Sequence, residues 1–246
     1  MSQEFVLDLT KKFELNLTKA GILTIPVLRT RAAIDYSGSM ADLFRRGFVQ
    51  RLVDLFIPAA LKFDDNGELE LGFFNTEFEE TEVATLQDAG KYMATKGLKI
   101  VADGGTKFGP VIAWTMEEDT REEAKPAGGF FSRMKAVVTG ATAAAPSSLP
   151  DCGGYIGIVT DGANSDRVSF ERQMQSADKD TFYQFIGLGS QVDDEYLEAL
   201  AAKYVNVGFF HIVNPLTLDD DKFYEQICNP KFAAWVAVYN KSRGHA

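Results

Sequence analysis

The chain has 246 residues, 46% of them hydrophobic and 24% charged, an ordinary globular composition that can fill a complete core. Asp and Glu number 35 against 25 Lys and Arg, a formal net charge of −10, so nucleic-acid backbones and anionic membrane surfaces are repelled on average. One folded unit that binds no nucleic acid is expected.

The only cysteines are Cys152 and Cys228, too few for a disulfide framework or a four-ligand zinc site; both are expected as buried thiols. Met-Ser-Gln-Glu-Phe at the start lacks a basic region followed by an apolar one, and no apolar run approaches the roughly 18 to 20 residues of a membrane span. A cytoplasmic protein without membrane insertion is expected.

Residues 3 to 28 carry an echo, Leu-Asp-Leu-Thr-Lys-Lys and Leu-Asn-Leu-Thr-Lys-Ala. Its local alternation predicts a short extended or hairpin-like arm over a sheet edge, so residues 1–29 are set apart as an arm packed on the domain of residues 30–246. Arg31 to Tyr36 is the first central strand. Phe44, Phe48, Leu52, Leu55 and Ala59 share one helical face, which predicts a long helix over Ala41 to Phe63 with a kink at Pro58. Asp64-Asp65-Asn66-Gly67 is a turn, because Asn-Gly supplies positive φ; the spacing of a calcium-binding loop is absent.

Glu68 to Phe74 is the second strand, Phe78 to Val83 an antiparallel edge strand, and Leu86 to Ala94 a short helix. The glycine-rich stretch from Ala102 to Pro110 leads into a helix of roughly Val111 to Ala124, with Pro110 suited to its first turn. A phosphate loop is excluded because Thr106 precedes Lys107. An insertion rich in Ala, Gly, Pro and Ser follows at about 125–152, with Phe130, Phe131 and Met134 in its middle. Strands are predicted at Tyr155 to Thr160, Thr181 to Leu188 and Val205 to Val213. Helices are predicted at Ser169 to Ala177, at Asp193 to Lys203, and within Asp219 to Tyr239 with an interruption at Pro230. Alternating apolar strands and amphipathic helices imply an α/β fold, a Rossmann-like doubly wound, mostly parallel sheet that binds ligands at the carboxyl ends of its strands.

Asp35, Ser37 and Ser39 follow the first strand, Thr106 stands in the glycine-rich loop, and Asp161 follows the strand ending at Thr160. These five oxygen donors, with no imidazole or thiolate near them in sequence, suit a hard divalent cation: Mg²⁺ first, with Mn²⁺ or Ca²⁺ as alternatives. The bland readings are turn chemistry for the serines and a simple turn at Asp161-Gly162. Asp103 and Asp166 read equally as outer supports of the site or as solvated loop carboxylates, while Tyr36 and Met40 flank it. Asp193 to Glu195 and Asp219 to Asp221 complement helix N-termini.

Asp35-Tyr-Ser-Gly-Ser39, Gly105-Thr106 and Thr160-Asp161-Gly162 resemble the metal-ion-dependent adhesion site (MIDAS) of von Willebrand factor A domains. Gly104 to Pro110, Val159 to Asp166, Phe185 to Gly189 and the aromatic tail from Phe223 to Trp235 are most similar to the tellurite-resistance (toxic-anion resistance) branch. The chain departs from that branch in its longer stretch from Ala124 to Cys152 and in Asn229-Pro-Lys-Phe232. The resemblance implies a non-enzymatic module that binds a partner's Asp or Glu through the bound cation, in chemical-stress resistance and beside calcium-binding proteins of the same system. Three alternatives stand: a subunit working with an AAA+ ATPase in metal insertion or remodelling, a metal-dependent hydrolase, and a structural domain with a vestigial site. A serine hydrolase is disfavoured because Ser37 lacks a nucleophile elbow and the only histidines are His211 and His245.

Overall fold

A computed structural model describes residues 3–97, 102–123 and 152–244; most of the 125–152 insertion lies outside the described residues. The strands are β1 (Leu28–Asp35), β2 (Glu70–Phe74), β3 (Phe78–Glu80), β4 (Gly153–Thr160), β5 (Thr181–Leu188) and β6 (Val207–Ile212). They form one sheet in the order β3-β2-β1-β4-β5-β6. Only β3 runs antiparallel, paired with β2. The helices are α1 (Gln3–Lys19), α2 (Ala41–Arg45), α3 (Phe48–Phe63), α4 (Tyr92–Thr95), α5 (Gly109–Glu123), α6 (Arg167–Ser176), α7 (Asp194–Lys203), α8 (Asp220–Ile227) and α9 (Pro230–Ser242).

Both sheet faces are covered, which explains why β4 and β5 are buried at every position and apolar at most of them. Successive residues point to opposite layers. Ala32, Ile34, Phe182 and Ile186 join the core under α1, α3, α8 and α9. Ala33, Ile156, Ile158 and Phe185 join the core under α5, α6 and α7. Connections from β1 run one way to β2 and the other way from β4 through β6, so the order reverses between β1 and β4. A crevice opens at the carboxyl ends of those two strands, where doubly wound sheets take their ligands.

Three expectations are corrected. The amino-terminal segment is a helix, not an extended arm: Val6, Leu9, Phe13 and Leu17 recur at helical spacing and are all buried, a stripe that outweighs the local alternation of the echo. It packs on helices rather than on a sheet edge, with Phe13 against Phe63 of α3 and Tyr224 of α8. The helix expected over Ala41 to Phe63 is two helices, because Gly47 takes φ +73, a left-handed conformation that ends α2 and that glycine adopts without a Cβ clash. Pro58 lies inside α3. Of the two cysteines only Cys228 is buried; Cys152 is exposed. Burial pushes the Cys228 thiol up to about 12.

Candidate metal centre

β1 delivers Asp35 to the crevice as its last residue, fully buried. The chain then turns sharply: the Ser37 amide donates to Asp35 Oδ1 at 2.8 Å, and residues 38–40 form a single 3₁₀ turn. Ser37 and Ser39 are brought to one side, their Oγ atoms 3.2 Å apart. Ser37 is buried and Ser39 exposed, so the pair runs from the floor of the crevice to its mouth.

The second loop closes on the first through its backbone. Asp103 donates its amide to Tyr36 O, Gly104 O accepts from the Gly38 amide, and the Lys107 amide donates to Asn75 O. Thr106 is thereby set over Asp35, donating from Oγ1 to Asp35 Oδ2 at 3.0 Å. The third loop fixes Thr106 from the other side, since Ser165 donates both its amide and its Oγ to Thr106 O. Gly162 passes so close that a Cβ there would stand 3.1 Å from Thr106 Oγ1. At the mouth, Ser39 Oγ donates to Asp161 Oδ1 at 2.7 Å.

All five sequence-selected donors thus fall in one hydrogen-bonded cluster. Its electrostatics are unfavourable as it stands. Burial raises the Asp35 carboxyl above its ordinary value, against the lowering effect of hydrogen bonds from Ser37, Thr160 and Thr106. Asp161 is also raised, first by burial, with the Ser39 hydrogen bond opposing and the Asp35 charge adding to it. Two buried carboxylates, one of them raised by the charge of the other, form a centre that favours a proton or a cation.

One residue of the cluster was not singled out from the sequence. Thr160 Oγ1 donates to Asp35 Oδ2 at 2.7 Å, and the available signal was its place directly before Asp161 in the third motif. Asp166 is a helix support: it accepts from the Phe108 and Gly109 amides at 3.1 and 3.0 Å, at the start of α5. The backbone carbonyl of Asp103 accepts from Asn75 Nδ2. Tyr36 and Met40 are both buried. His211 lies on β6, between Asp194 Oδ2 and the Gly189 carbonyl, beyond β5 from β4, the strand that Asp161 follows.

Residues 27–245 match the family described as vWA-TerF-like, the von Willebrand A domain found in the TerF C terminus. The chain belongs to this family. The protein YcbR of Bacillus subtilis (strain 168) is 28% identical to this TerF-like domain over 233 residues, 94% of this chain and 86% of YcbR. The fold is shared with a von Willebrand factor type A protein from Catenulispora acidiphila, 15% identical with a TM-score of 0.52 over 82% of this chain. It is also shared with proximal thread matrix protein 1 of the mussel byssus, a structure with a zinc-occupied MIDAS motif, 14% identical with a TM-score of 0.51 over 86% of this chain. This chain spans 42% and 49% of the lengths of those two solved chains. In the TerF-like domain described here, no helix among the described residues is long and apolar enough to cross a membrane.

Proposed function

We propose that this TerF-like domain is a non-catalytic protein-recognition module. Asp35, Ser37, Ser39, Thr106 and Asp161 hold a divalent cation and present it to an aspartate or glutamate of a protein partner. The observation that carries this reading is the convergence of three separate loops on one cluster of two carboxylates and three hydroxyls. Donors of oxygen alone favour Mg²⁺, with Mn²⁺ and Ca²⁺ next; the zinc in the mussel protein's MIDAS supports a divalent ion in this fold. The unfavourable effect of the Asp35 charge on Asp161 is what a bound cation would relieve. When bound, the cation supplies a Lewis-acidic centre of positive charge that a partner carboxylate can join. The chain's own part is orientation: Thr160 and the Ser37 amide hold Asp35, and Ser165 holds the Thr106 loop. The match to the TerF domain supports a role in tellurite, toxic-anion or general chemical-stress resistance, with other proteins of that system as partners.

The test is a pull-down from native lysate on the purified chain in Mg²⁺, in Ca²⁺ and in chelator, with Asp161→Ala as control. A partner retained with metal and lost in both chelator and variant identifies cation-bridged recognition. Equal retention in all four conditions places the binding surface elsewhere and sinks the reading.

A further inference from the structure

The sheet ends on an open edge at β6. Its hydrogen bonds toward β5 use even-numbered residues: Asn206 O accepts from Tyr183 N, and Ile212 O accepts from Gly189 N. In a parallel ladder the N–H and C=O of one residue point the same way. The amides and carbonyls of Phe209 and His211, and the Val207 carbonyl, therefore face outward, where no strand pairs with them among the described residues. Along this edge runs an open cleft of about 320 Å³. It is walled by Asp194 and Glu198 of α7 on one side, by Gln226 of α8 on the other, and floored by Phe209, Phe210 and His211. Because α7 and α8 cover opposite sheet faces, the cleft wraps the strand edge itself. An added strand would lie between the two helices, its side chains alternating toward each.

The charge of the cleft selects its occupant. Asp194 and Glu198 give it two carboxylates; Asp194 Oδ2 is engaged by His211, while Asp194 Oδ1 is buried with no hydrogen-bond partner among the described residues. Glu198 is exposed. A second copy of this chain would bring the same carboxylates to the edge and repel.

We infer that the β6 edge is a docking site for an extended segment of a partner protein that adds as a further strand and directs a lysine or arginine at Asp194 and Glu198. Main-chain pairing supplies the adhesion and the alternate basic side chain the selectivity. The site lies apart from the Asp35 cluster and is independent of the metal reading.

The test uses three capped hexapeptides in chelator: alternating Val-Lys, alternating Val-Glu, and a Lys-Pro peptide of the same charge that cannot form a strand. Amide shifts and hydrogen exchange of the full chain are followed by NMR. The Val-Lys peptide is expected to slow exchange at Phe209 and His211, and to bind at least tenfold more tightly than either control. Glu198→Lys, a surface change, is expected to weaken it about tenfold. Phe209→Pro, which removes an outward amide, is expected to abolish it. Equal binding of the Lys-Pro peptide, unchanged binding to Glu198→Lys, or no protection at Phe209 and His211 would overturn the proposal. So would a concentration-dependent dimer formed through β6.

Discussion

Whether α1 is an accessory or part of the core can be decided at Phe13. The family match begins at residue 27, so α1 lies outside it. Phe13 is nonetheless fully buried, with ring centroids 5.4 Å from Phe63 and 5.3 Å from Tyr224. Phe13→Ala removes a whole buried ring and its two aromatic neighbours, which costs about 3–5 kcal/mol in a core that cannot collapse around the void. For a domain of this size the unfolding entropy is on the order of 0.5 kcal/mol per degree, so the midpoint should fall by roughly 6–10 °C. Leu15→Ala on the same helix, 52% exposed, is the control and should move the midpoint by no more than about 1 °C. Urea and thermal unfolding followed by circular dichroism measure both. A loss below about 1 kcal/mol for Phe13→Ala would show that α1 is a peripheral arm and would refute its place in the core shared with α3, α8 and α9.

At the metal cluster, Mg²⁺ at ten times its dissociation constant should stabilise the wild type by about 1.4 kcal/mol; Asp161→Ala should show no such gain in calorimetry while folding normally in chelator. Burial pushes the Asp64 carboxyl up to about 6, so the native state holds a proton there that the unfolded chain has released. Stability should therefore decline as pH rises from about 4 to 6 and level off above, and Asp64→Asn should remove that slope in denaturant titrations. Asn229 caps α9, its Oδ1 accepting from the Lys231 and Phe232 amides at 3.0 Å each; Asn229→Ala should cost about 1 kcal/mol of unfolding free energy. Gly47→Ala meets open space yet must hold φ +73, so chemical denaturation should show a loss of roughly 1 kcal/mol from backbone strain alone.

Strand positions were legible because burial on both faces leaves a continuous apolar run; Thr181 to Leu188 was expected with the bounds it has. Helix boundaries were less so. The apolar positions from Phe44 to Ala59 keep helical phase across a break that depends on one glycine's φ, which periodicity does not register. The amino-terminal echo misled for the opposite reason: Leu7 and Leu15, 47% and 52% exposed, suggest alternation with Leu9 and Leu17, and only the longer stripe from Val6 to Leu17 distinguishes a helix. The five candidate donors could be picked out because each stands at the end of a strand or in a loop fixed by a strand end or a helix start. Thr160 enters the sequence reading only as the neighbour of Asp161 in the third motif, because at the end of a strand a threonine is also an ordinary β former.

The supports of the cluster show why five side chains can be named from sequence while their arrangement cannot. Asp35 is held from its own loop by the Ser37 amide, from the second loop by Thr106 and from the end of β4 by Thr160. The backbone contacts of the Thr106 loop come from residues with no ligand character: Tyr36, Asn75 and Ser165. Asp166 joins that loop to the start of α5 by accepting from the Phe108 and Gly109 amides. Asp35 is surrounded on every side in this way, whereas Asp161, also buried, accepts from the exposed Ser39. Both carboxylates are thus buried, Asp35 held by all three motifs and Asp161 by the exposed Ser39, so the supports that fix a ligand's direction differ between them.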